Sequence, residues 1–77
     1  MTVGGRRTLS GAVADDLVRR IGSGEFGVGD RLPTLQELMV HHGVGYGVAR
    51  EAMQQLTALG IVDIRPHRGA VVRQLDS

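Results

Sequence analysis

Gly29-Asp30-Arg31-Leu32-Pro33-Thr34-Leu35-Gln36-Glu37-Leu38 opens the stretch that decides the fold, which runs on to Val72. The residue before a proline is pushed toward extended backbone, so Leu32-Pro33 marks a boundary. Thr34-Leu35-Gln36-Glu37 then spells a capping box, the threonine capping a helix and the glutamate three residues on reaching back. Leu35, Leu38 and Met39 form the inward face of this short helix, which ends near His42-Gly43. Gly43-Val44-Gly45 is a tight turn. A longer helix follows from Tyr46 to Leu59, with Ala49, Ala52, Met53, Leu56 and Leu59 toward the core and Tyr46, Gly47, Arg50, Gln54 and Thr57 on the other face. Gly60 stops it.

Working outward, Ile61-Val62-Asp63-Ile64 and Ala70-Val71-Val72-Arg73 have the β-branched content of strands. Arg65-Pro66-His67-Arg68-Gly69 between them reads as an open hairpin loop. Upstream, Ser10 is placed to cap a first helix whose stripe is Val13, Leu17, Val18 and Ile21. Arg19 and Arg20 lie near its end, where the helix dipole favours cations, and Gly22-Ser23-Gly24 stops it. Phe26 and Val28 are expected to pin the following loop to the core. The expected fold is mainly α with a small β-hairpin: three helices plus a two- or three-stranded antiparallel sheet, a winged helix–turn–helix. Residues 1–8 read as a flexible arm, 9–73 as the domain and 74–77 as the start of a linker or tail.

Composition narrows the function. A chain of 77 residues makes one domain, and with Phe26 and Tyr46 its only aromatic residues the core is aliphatic. It has no cysteine, which excludes disulfides, thiolate metal sites and cysteine nucleophiles. No apolar run approaches the roughly 20 residues of a membrane span, and no apolar stretch follows Arg6-Arg7 as in a secretory signal, so a cytoplasmic location is expected. The net charge is only +1, yet Arg65, Arg68 and Arg73 gather at the hairpin end while Asp15, Asp16, Glu25 and Asp30 lie in the first half. A helix–turn–helix with a basic wing is built to lay one helix in a DNA groove.

The order of these segments resembles the N-terminal winged helix–turn–helix domain of GntR-type bacterial transcription regulators. The resemblance rests on Ile21-Gly22-Ser23-Gly24, Gly29 to Thr34, Glu37-Leu38, Gly43-Val44, Val48 to Met53, Leu56, Leu59 to Val62 and Gly69. It implies a helix over 46–59 that enters the major groove of double-stranded DNA and a wing over 65–69 in or near the minor groove. It further implies a palindromic operator bound by two copies. By position, Arg50 is similar to the recognition-helix arginine and Gly69 to the wing-tip glycine. Thr34 and Gln36 fall where the preceding helix meets phosphates.

Around these, Tyr46, Gly47 and Gln54 are expected to read or position bases, with Gly45 beside them, and Arg31 and Arg68 to assist on phosphates. The family's usual Ser-Glu-Arg after the proline is here Thr34-Leu35-Gln36, and its usual Ser-Arg-Thr-Thr opening is Gly45-Tyr46-Gly47-Val48. A cap and two arginines are thereby lost, and the operator preference does not transfer. Gly47 in the first helical turn costs up to ~1 kcal/mol relative to alanine.

Regulators of this family carry a C-terminal effector-binding domain that makes a homodimer. Nothing after Val72 corresponds to it, so the chain reads as a fragment in preference to a stand-alone head. The alternative is a winged helix turned protein-interaction module, with an exposed apolar patch around Tyr46 and Val48. Enzyme chemistry is not expected: Ser10, Ser23 and Ser77 have no histidine–carboxylate arrangement, and Gly22-Ser23-Gly24 and Gly27-Val28-Gly29 lack the lysine of a phosphate loop. No cofactor is implied. His41-His42 and His67 invite a metal reading. Adjacent helical residues point about 100° apart, and no acid lies in register, so no metal site is expected. Glu51 reads as a local or interhelical salt-bridge partner.

Overall fold

The computed structural model describes residues 8–73, so the arm, apart from Thr8, and the tail over 74–77 lie outside the described residues. Three helices and a hairpin follow in the expected order: α1 (Leu9–Gly22), α2 (Leu35–His42), α3 (Tyr46–Ala58), β1 (Val62–Arg65) and β2 (Gly69–Val72).

α1 starts two residues earlier than a Ser10 cap allows. Thr8 is the N-cap, and its hydroxyl accepts from the Gly11 N–H at 2.9 Å. Ser10 is instead buried inside the first turn, bonded to Gln55 of α3. Val13, Ala14 and Leu17 form the buried face, while Val18 sits at its exposed edge. The helix closes with Arg19 and Arg20 in its last turn and with Gly24 at φ +91°.

The capping box of α2 is complete. Thr34 Oγ1 accepts from the Glu37 N–H at 3.1 Å, and Glu37 Oε1 accepts from the Thr34 N–H at 2.8 Å. Gly43 ends α2 in the left-handed region, at φ +65°, which a glycine enters without steric cost. α3 starts at Gly45 with no side-chain cap, as expected where the usual serine is replaced. Ala49, Ala52, Met53 and Leu56 are buried as the spacing predicts. Leu59 is not: α3 ends at Ala58, and Leu59 is a 68% exposed cap residue.

β1 and β2 pair antiparallel from Val62↔Val72 to Arg65↔Gly69. The strands therefore sit one residue nearer the loop than expected, and the wing is tighter. The Arg68 N–H donates to the Arg65 carbonyl at 3.2 Å, closing a turn with Pro66 second and His67 third at φ +66°. A proline followed by a positive φ is the arrangement of a type II turn. On the far side of β2, Leu32 N–H donates to Ala70 O and Val72 N–H to Asp30 O, with one bridge at Arg31↔Val71. A rudimentary third strand is thus present.

Those main-chain bonds, with Gly27 N–H on Asp30 Oδ2 at 2.7 Å, hold the loop before α2. Phe26 packs half-buried against the core, but Val28 is 62% exposed and pins nothing. Leu17, Leu38, Leu56 and Val62, one from each of α1, α2, α3 and β1, are the largest fully buried side chains. Each such side chain stabilises the fold by roughly 1.5–3 kcal/mol, and together they lock α1, α2 and the wing onto α3.

Candidate nucleic-acid interface

The wing folds back toward the exposed face of α3 and leaves a groove of about 750 Å³. Its walls are the start of α2, the middle of α3 and the hairpin. Of the residues expected to contact DNA, Arg31, Thr34, Arg50, Gln54, Arg68 and Gly69 line it. They arrive from four segments because Leu38, Leu56 and Val62 bury the opposite faces of their elements. Gln36, Gly45, Tyr46 and Gly47 do not line the groove. They are exposed nearby, Gln36 in the first turn of α2 and the other three where α3 begins.

The electrostatics of the groove differ from those of the rest of the surface. Arg19 and Arg20 are tied to Asp16, Arg20 also to Glu25, and Arg65 to Asp63. Among the described residues no ion pair joins Arg31, Arg50 or Arg68 to an acid. Glu51, expected to pair locally or between helices, forms no ion pair among them. Three guanidiniums with no ion-pair partner among the described residues thus line one concavity, above a floor that includes Leu35, Met53, Ala58 and Ile64.

Several groove-lining residues were not among the expected contacts, His67 and Ile64 among them. His67 stands at the wing tip beside Arg68, and Ile64, 58% exposed, lies on the groove side of β1. The signal for His67 was Pro66 before it, which makes it the third residue of a turn. Ile64 carried none, since an apolar residue in a strand reads as core. The apolar patch expected around Tyr46 and Val48 shrinks to Tyr46, because Val48 packs against the core.

The metal reading is corrected in one respect. An acid does stand in register with the adjacent histidines, but it comes from another helix: Asp16 Oδ2 lies 3.1 Å from His42 Nε2. That contact, followed by the one to Arg19, holds the Asp16 carboxyl below its ordinary value against the opposing effect of partial burial.

A winged helix–turn–helix with an arginine-rimmed groove is the architecture of a DNA-reading head. The sequence model described as "Bacterial regulatory proteins, gntR family" matches residues 9–72. The HTH-type transcriptional repressor NanR of Klebsiella aerogenes is 42% identical over 59 residues, 77% of this chain and 23% of that protein. A GntR-family transcriptional regulator from Pseudomonas syringae superposes with a TM-score of 0.78 at 33% identity, over 87% of this chain and 28% of that one. The DNA-binding domain of AraR, solved with its operator ORR3, shares the fold with a TM-score of 0.80 at 23% identity, over 94% of this chain and 89% of that one. The chain belongs to the GntR family and is the helix–turn–helix DNA-binding domain of its transcriptional regulators. It spans about a quarter of the length of the curated relatives it matches. The family is one of bacterial transcription regulators. No helix among the described residues is long and apolar enough to cross a membrane.

Proposed function

We infer that the groove is the DNA-reading surface, with α3 in the major groove and the wing over the neighbouring minor groove. The observation that carries this is the convergence of Arg31, Arg50 and Arg68, none of them ion-paired among the described residues, on the cleft that also holds Thr34 and Gln54. Arg50, at mid-helix, is the base-reading residue, since a guanidinium fits guanine O6 and N7 bidentately. Gln54, one turn on, reads beside it, and Tyr46, Gly47 and Gly45 border the bases at the start of the helix. Arg31, Arg68 and the α2 start, with Thr34 and Gln36, bind phosphates and set register. Gly69, at φ +76°, lets the wing backbone approach the duplex.

The head acts in the cytoplasm as part of a homodimeric regulator reading a palindromic operator, and performs no catalysis. The relation to a repressor and the fold shared with an operator-bound domain support this reading. Fluorescence anisotropy with random-sequence duplex across a salt series tests the first part, affinity falling steeply with salt. Operator selection followed by Arg50→Ala tests the second, the loss being about 1–3 kcal/mol with relaxed preference at one base position. Arg68→Ala weakens all sequences alike and lowers the salt slope by about one. Unchanged operator binding by Arg50→Ala would remove that residue from the reading role.

A further inference from the structure

One cluster of the molecule plays no part in the groove. Asp16 on α1 and His41 and His42 at the end of α2 hold their ligand atoms within 4.8 Å of one another. We propose that these three side chains form a binding site for a divalent transition metal of the zinc type, joining α1 to the C-terminal end of α2.

The geometry of His42 is the first support. Its Nδ1 lies 3.3 Å from the Leu38 carbonyl one turn back, and its Nε2 lies 3.1 Å from Asp16 Oδ2. A neutral imidazole has one N–H and one lone pair. When Nδ1 donates to the carbonyl, the Nε2 lone pair faces a carboxylate oxygen, and a cation between them satisfies both. A backbone carbonyl holding the second ring nitrogen is the usual outer support of a metal-bound histidine. Zinc with bonds of ~2.0–2.1 Å spaces its tetrahedral ligands about 3.3 Å apart, close to the separation already present.

The second support is the setting. Two imidazoles and one carboxylate suit zinc, with a fourth position left for water. The rings of His41 and His42 meet edge to face, their centroids 4.7 Å apart, so the outer ring overhangs the inner one despite their adjacency in the helix. His41 is exposed and gives the ion its way in, while Asp16 and His42 are half-buried. The negative end of the α2 dipole favours a cation there. Arg19 and Arg20 now share Asp16, but Arg19 is largely solvated and Arg20 keeps Glu25 at 2.7 Å, so both can yield.

α1 and α2 both lean on α3, and a shared ion ties them directly, at the opposite end of α2 from Thr34 and the groove. Calorimetric titration of the 77-residue chain with zinc at neutral pH, with thermal unfolding in parallel, tests this. One ion bound per chain and a raised Tm are expected. In His41→Gln and Asp16→Asn the affinity falls by about tenfold or more, and in His67→Gln it is unchanged. Absence of zinc binding by the wild-type chain overturns the proposal and leaves a proton as the bridge. Binding that survives His41→Gln, or disappears with His67→Gln, overturns it as well. Should Asp16→Asn fail to fold, His41→Gln still decides, because that side chain is exposed.

Discussion

The Gln55 side-chain amide donates to the Ser10 hydroxyl at 3.1 Å, across 45 residues of sequence, and joins the start of α1 to the end of α3. Ser10 is the one buried polar side chain of the described domain, and Thr8 Oγ1 lies 3.2 Å from the same hydroxyl. A polar group this deep is stabilising only while it stays bonded. Ser10→Ala should lower the unfolding free energy by about 0.5–1.5 kcal/mol in urea denaturation, with little change in m. An unchanged midpoint would show that the bond contributes nothing net.

Thr34 has two duties that one substitution separates. Thr34→Ala removes the side-chain half of the capping box and should destabilise the fold by about 1 kcal/mol. If Thr34 also binds phosphate, DNA affinity falls further than the unfolded fraction accounts for, and the salt slope becomes shallower. Anisotropy well below the melting temperature distinguishes the two. Affinity that tracks stability alone would leave Thr34 a cap only.

Two glycines predict opposite signs. Gly47 lies in the first turn of α3, and a Cβ there meets nothing within 4 Å. Gly47→Ala should raise stability by up to ~1 kcal/mol through helix propensity. Gly69 also has open space, but its φ of +76° is strained for any L side chain. Gly69→Ala should therefore cost about 1–2 kcal/mol. Differential scanning calorimetry of both variants checks the pair. Equal shifts of one sign would contradict the backbone assignment of the wing.

The acid limb of stability involves Glu25, whose carboxyl is held below its ordinary value chiefly by its bond to Arg20. Its folded value lies below the unfolded one, so the native state binds fewer protons in that window. The contribution is complete above the ordinary value of 4.5 and is lost as pH falls through the lower folded value. Glu25→Gln should flatten the stability–pH curve below 4.5 and leave its shape at neutral pH unchanged. Since Arg20 also lies 4.9 Å from the Phe26 ring centre, freeing it from Glu25 should change the loop's hydrogen exchange as well.

Local spacing alone was enough for the Thr34–Glu37 box, the Gly43 stop, the buried face of α3 and the order of elements. Each of these is decided within a turn or two of chain, by dihedral preference and helical period. Tertiary packing decided the rest. Ser10 is buried by α3, which leaves Thr8 to cap α1. β2 pairs with residues 29–32 as well as with β1, and the turn at Pro66-His67 brings Arg65 opposite Gly69, so the strands extend one residue further into the wing. Leu59 and Val28 are apolar residues at places where no neighbouring element arrives to cover them. The gathering of Arg31, Arg50 and Arg68 around one groove, and of Asp16 with His41 and His42, depends on the angles at which α1, α2 and the hairpin settle on α3. Periodicity shows which face of a helix is apolar, but which charged residues meet across the gaps between elements is set by packing.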